Sequence, residues 1–135
     1  MASLFGAIQW IQDEMLEISG IKAAPDYPQS GLLPIVITHL GEGQIIPGNP
    51  LGACKEMVSI IAELHISQSG AGDAGAFKTL ETLHPLIKAK LIADYTLGSN
   101  VSTYESISYV TGRGNLDGVD VISRIYTLNN VKFVS

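Results

Sequence analysis

The sequence predicts an α+β fold, a mainly antiparallel sheet of about four strands with two helices packed on one face. Three observations carry that expectation. Apolar residues recur at helical spacing in two stretches, one near the N-terminus and one within 77–91. Residues 58–67 alternate apolar and polar with period two, and the C-terminal third is β-rich around one glycine-rich segment. A strand with one dry and one polar face belongs to an antiparallel sheet, since parallel strands are covered on both faces. Two helices over that sheet make two layers around one core, and the 135 residues suit a single domain.

The elements follow in order. Ser3 is placed to cap a helix whose stripe is Leu4, Ile8, Ile11, Met15 and Ile18, with Gly20 able to close it in a left-handed conformation. Pro25, Pro28, Pro34 and Gly31 mark an extended crossing to a first strand at 35–40, ended by Gly41. Residues 41–52 hold so many turn formers that they read as a loop, yet the loop carries Ile45 and Ile46. These either fold back onto the subunit's own core or meet another molecule. The second strand is 58–67. Residues 70–75 read as a loop with Asp73 as the cap of a second helix, where Phe77, Leu80, His84, Ile87 and Leu91 keep helical spacing. Pro85 cannot donate to the carbonyl of Glu81, which predicts a kink or two short helices near His84. Residues 104–111 and 119–128 form a hairpin with a long glycine-rich tip at 112–118, and Asn129-Asn130 marks either a bulge or a turn into a last short strand.

Composition excludes several functions. Thirteen acidic against eight basic side chains give a net charge of −5, the wrong sign for an electrostatic grip on nucleic acid. Apolar residues reach 46% and charged ones only 16%, where about 25% is usual. Part of the surface is therefore expected to be covered by protein. The first lysine is Lys22, acids appear at Asp13 and Glu14, and the longest apolar run contains Pro34, so neither a signal peptide nor a membrane span is expected. Cys54 is the single cysteine, which rules out an internal disulfide and suits synthesis in a reducing cytosol.

Residues 70–75 spell Gly-Ala-Gly-Asp-Ala-Gly, a G-x-G-x-x-G with Asp94 downstream, the pattern that brings pyrophosphate to a helix N-terminus. A small nucleotide-binding enzyme or module using Gly70–Gly75 is thus the alternative function. Against it, the preceding strand carries Ser59, Glu63, His65 and Ser67 on one face, and no further βαβ unit follows. Glu63-x-His65 sets a carboxylate and an imidazole side by side, enough to begin a zinc site but without a local third ligand. No G-x-S-x-G elbow surrounds any serine, and Asn115, Asp117 and Asp120 lack calcium-loop spacing. The sequence therefore predicts no catalytic residue, no cofactor and no metal site, and a protein that is not an enzyme.

The layout as a whole resembles the tail terminator, or tail completion, proteins of long-tailed bacteriophages. The likeness lies in the short N-terminal helix, the proline-bounded strand around Ile35, Val36 and Ile37, and the loop 41–52. The alternating strand 58–67, the proline-interrupted helix at His84 and Pro85, and the closing hairpin 107–128 complete it. The resemblance implies a structural virion protein without catalytic residues, forming a homo-hexameric ring on the head-proximal end of the tail tube. Such a ring stops polymerisation of the major tail tube protein and joins the tail to a head-side connector or stopper. It would be assembled in the host cytoplasm and sit at the tail–neck junction, with DNA passing through its lumen without specific binding. The candidate contact residues are Ile45, Ile46 and Pro47 in the loop and Arg113, Leu116 and Asp117 at the hairpin tip. Few charges, with Ile61, Ile122 and Tyr126 expected on strand faces, leave apolar area that a neighbour would cover, at roughly 25 cal/mol per Å² buried. Ring closure needs head-to-tail contacts, and an acidic balance suits a channel through which phosphates slide.

Overall fold

The computed structural model of the chain describes residues 4–25, 33–47, 54–68, 72–116 and 118–132, with the side chains of residues 46, 47, 54–56, 72 and 73 outside that description. Helix α1 (Leu4–Leu16) buries Ala7, Ile8, Ile11 and Met15, the stripe that the spacing predicts. It ends at Leu16 rather than at Gly20. Consecutive turn hydrogen bonds, Ile18 N to Met15 O and Ile21 N to Ile18 O, still bring Ile18 and Ile21 into the core, with Gly20 at φ +105° between them. The expected cap, Ser3, lies outside the described residues.

Strands β1 (Ile35–Pro47), β2 (Cys54–Ser67), β3 (Ser106–Leu116) and β4 (Val119–Lys132) form one antiparallel sheet in the order β1-β2-β4-β3. Helix α2 (Gly72–Ile92) links β2 to β3, which run the same way with β4 between them. The chain is an α+β fold of two helices and a four-stranded antiparallel sheet.

Four local expectations need correction. Gly41 does not end β1. The strand continues to Pro47, with a register shift between Leu40 and Gly43, so the glycines serve a bulge rather than a loop. A Cβ on Gly41 would lie 2.5 Å from Ser59 Oγ and 2.8 Å from Ile61 Cδ1, which is why glycine stands there. The long tip expected at 112–118 is mostly strand. Leu116 pairs with Val119, and the connection is the two residues 117 and 118, with Gly118 at φ +87°. The alternative of two short helices near His84 does not hold: helix α2 is one continuous element through Pro85, with Pro85 exposed and Ala76, Leu80, Leu83, Ile87 and Leu91 on its buried side. Asp73 is already a helical residue and not the cap before the helix. The open question at Asn129-Asn130 resolves as a bulge: Asn130 takes φ +54°, the register shifts opposite 58–60, and β4 runs on to Lys132.

One buried cluster joins Ala7, Ile11 and Met15 of α1, Leu80, Ile87 and Leu91 of α2, and alternate sheet residues including Val36, Leu64, Ile122 and Tyr126. Each such large apolar side chain contributes about 1.5–3 kcal/mol by leaving water. Ile122 and Tyr126 are thus internal rather than available to a neighbour. Alternate positions of β1 point the other way, and there Ile35 and Ile37 are also fully buried.

Candidate functional site

Among the described residues, strand β2 runs past β4 at its N-terminal end. Its last described partner in β4 is Lys132, opposite Met57, and the pairs Ile45 with Glu56, Ile46 with Lys55 and Pro47 with Cys54 form an arm that is two-stranded among the described residues. Isolated two-stranded ribbons are marginal in water, and this one carries Ile45 with 67% of its surface exposed. Ile46 and Pro47 lie on the arm by backbone position, their side chains outside the described residues. The bulge at the arm's root, with Ser59 Oγ donating to Glu42 O at 3.2 Å, sits beside a broad concavity of about 750 Å³ lined by His39, Gln44, Ile61 and Asn129.

The other predicted contact element is the β3–β4 tip. Gly118 N donates to Asn115 Oδ1 at 2.8 Å, and Asn115 Nδ2 donates to Asp120 Oδ1 at 3.2 Å, which fixes the turn from within. Arg113 is exposed and Leu116 half-buried, while Asp117 lies outside the described residues. Arm and tip are not brought together. They occupy opposite ends of the 14-residue strand β2, roughly 40 Å apart at about 3.3 Å per residue.

The sheet's two edges differ from its ends. Among the described residues β3 has β4 as its single neighbour, and Tyr109 (55%) and Val110 (63%) stand exposed on its opposite faces. β1 is partly edged by 23–25, through Val36 N to Ala23 O and Thr38 N to Pro25 O, but beyond Thr38 no strand lies outside it among the described residues. Unpaired rows of backbone N–H and C=O groups are templates for another strand.

Two polar constellations escaped the sequence reading. Between α2 and the β3–β4 pair, the guanidinium of Arg124 donates to Thr111 Oγ1 and Glu81 Oε1, both at 2.8 Å, and lies 5.1 Å over the Tyr109 ring. Tyr126 shares a 2.7 Å hydrogen bond with His84 Nδ1. Burial pushes the Tyr126 phenol up to about 12. Burial, helped by the Arg124 charge, lowers the His84 imidazole below its ordinary value. Tyr126 is therefore the donor and neutral His84 the acceptor. A cavity of about 360 Å³ adjoins them, lined also by Tyr104, Ile107 and Ile92.

The second constellation crosses the opposite sheet face. Pairing of β1 with β2 sets His39 beside Glu63, and pairing of β2 with β4 sets His65 directly against Ser123. His39 Nδ1 is 2.9 Å from Leu40 O, and His39 Nε2 is 2.5 Å from Glu63 Oε2. Glu63 Oε1 is 3.0 Å from His65 Nε2, and His65 Nδ1 is 2.6 Å from Ser123 Oγ. The third partner that Glu63-x-His65 lacks locally is thus His39, yet no group of three such side chains is arranged to hold a metal ion among the described residues.

The G-x-G-x-x-G segment is helical from Gly72 onward, with Gly75 inside α2, and the strand before it has antiparallel neighbours. Asp94 is held in its own turn, accepting from Thr96 N, Thr96 Oγ1 and Gly98 N, bonds that lower its carboxyl below the usual range. No described helix is long and apolar enough to cross a membrane. The chain matches no protein-family model and no curated protein.

Proposed function

We propose that this chain is the ring-forming subunit at the head-proximal end of a bacteriophage tail tube, where it ends tube polymerisation and joins the tail to the head-side connector. The observation that carries the reading is the division of the sheet's unsatisfied surface. Its two ends present the arm with Ile45 and the β3–β4 tip, facing opposite ways along the strands, and its two sides, β3 and β1 beyond Thr38, carry no further strand among the described residues. Ends facing opposite ways suit two axial partners, tube below and connector above. Open sides suit neighbours in a ring.

Strand direction alternates across the sheet, so β1 and β3 are antiparallel to each other. A second copy in the same orientation offers its β1 edge to β3 with the antiparallel pattern continued. That contact is head-to-tail, and a head-to-tail contact closes into a ring when its rotation divides a full turn. A homo-hexamer is the copy number the family resemblance implies. The net charge of −5 leaves a lumen that does not hold DNA phosphates. The place of action is the tail–neck junction of the virion, after assembly in the host cytoplasm.

The experiment is polymerisation of a tail tube protein with and without the chain. Added at one ring per tube, the chain shortens the length distribution and blocks elongation from pre-formed ends. Tubes that keep growing in a molar excess of folded chain contradict the reading.

A further inference from the structure

The row His39–Glu63–His65–Ser123 has a proton arrangement that its acceptors dictate. Leu40 O only accepts, so His39 Nδ1 carries a hydrogen. An ionised Glu63 only accepts, so both Nε2 atoms that meet it carry hydrogens as well. A neutral His65 that donates from Nε2 to Glu63 turns the lone pair of Nδ1 toward Ser123 Oγ at 2.6 Å. A serine hydroxyl donating to a neutral histidine, itself oriented by a carboxylate, is the arrangement that activates an oxygen nucleophile.

The surroundings admit a reactant. Ser123 and His65 are 8% and 7% exposed and line a cavity of about 260 Å³ walled by Val110, Val121 and Ile125. The cross-strand partner of Ser123 is Gly112, and neither Gly112 nor Gly114 would meet any atom with a Cβ, so the edge strand leaves open space beside the hydroxyl. The volume falls below the roughly 300–1,000 Å³ of sites for drug-sized ligands, which limits the guest to a short acyl group, and Arg113 and Asn115 share the lining with the three apolar side chains.

We propose that Ser123 is a covalent acylation site that takes a short acyl group from an activated ester, with His65 as general base and Glu63 as positioning residue. Ser123 Oγ adds to the ester carbonyl carbon while its proton passes to His65 Nδ1. The adduct collapses with cleavage of the bond to the leaving oxygen, which takes the proton from His65, giving an acyl-serine ester and a free alcohol. Gly112 and Ser123 are paired in the β3–β4 ladder, and Asn115 Nδ2 donates to Asp120.

The test treats the purified full chain with a small alkyl fluorophosphonate and follows intact mass and peptide mapping. The expected result is one adduct per chain, located on Ser123 and absent in Ser123→Ala. Labelling slows about 100-fold or more in His65→Gln, the usual scale for loss of a general base, and to a smaller degree in Glu63→Gln, with partial return in Glu63→Asp. Folded wild-type chain that carries no adduct on Ser123 overturns the proposal, as does His65→Gln labelled at the wild-type rate. Because the wild-type mapping needs no variant, a variant that fails to fold does not remove the test.

Discussion

Gly98→Ala probes how the segment after α2 is locked against α1. Gly98 sits at φ +73°, and a Cβ there would lie 2.5 Å from Trp10 Cδ1, 3.1 Å from Cγ and 3.2 Å from Nε1. The backbone cannot easily retreat, since Gly98 N is bonded to Asp94 Oδ2 at 3.1 Å and Asp94 also holds Thr96. Nor can the indole, a rigid ring packed against the core cluster. A left-handed conformation costs an L-residue roughly 1–2 kcal/mol, and overpacking typically adds about 1–3 kcal/mol. Loss of unfolded-chain freedom on Gly→Ala returns about 0.4–1 kcal/mol. The expected destabilisation is about 2–4 kcal/mol. Gly118→Ala is the control, with φ +87° but no atom within 4 Å of the added Cβ, so it bears the conformational cost alone, about 1 kcal/mol. Urea unfolding followed by the fluorescence of Trp10, the single tryptophan, with circular dichroism as second probe, measures both. Equal losses in the two variants would refute the steric argument at Trp10.

Two further outcomes follow from the described geometry. Ile45→Asp changes a side chain that is 67% exposed in the isolated subunit, so its unfolding free energy stays within about 0.5 kcal/mol of wild type. In the assembly it removes apolar burial worth about 1.5–3 kcal/mol per copy, and joining of tails to heads fails in an infectivity complementation assay. The phenol of Tyr126 is held neutral up to about 12 in the folded chain, whereas unfolded tyrosine ionises near 10. The unfolded state therefore loses its proton first, and the contribution of Tyr126 is complete below about pH 10 and declines as pH rises from about 10 to 12. Stability measured across that window falls for wild type and falls less steeply in Tyr126→Phe, the remainder coming from Tyr104 and Lys90, which are also raised.

Much of the fold was legible because its signals are local. The stripe of α1 at Ile8, Ile11 and Met15 and the alternation of 58–67 depend only on chain periodicity, and both reappear as buried faces. The strand character of 41–47 was hidden because its glycines answer a non-local requirement, the approach of Ser59 and Ile61 to Gly41 across the β1–β2 pair. The glycines at 112 and 114 likewise belong to an edge strand whose partner does the ordering, so their turn-like composition misled. Nothing local in the sequence marks Arg124, since its partners Glu81 and Thr111 lie 43 and 13 residues away. His39, Glu63, His65 and Ser123 become neighbours only through strand register. The signal available earlier was Glu63-x-His65 on one face, with His39 in a strand of unknown pairing. Of the predicted contact residues, the structure places Ile45 on a projecting arm and Arg113 and Leu116 near a tip, and it separates the two groups along the full length of β2.

The central claim is that copies of this chain sit side by side on the end of a tail tube. Electron microscopy of purified chain mixed with tail tubes tests it directly. The expected image is a ring of six subunits on one end of each tube, with hydrogen exchange slowed along β3 and residues 41–47 when the ring forms. Bare tube ends at saturating chain, together with unchanged exchange along both edges, would contradict it.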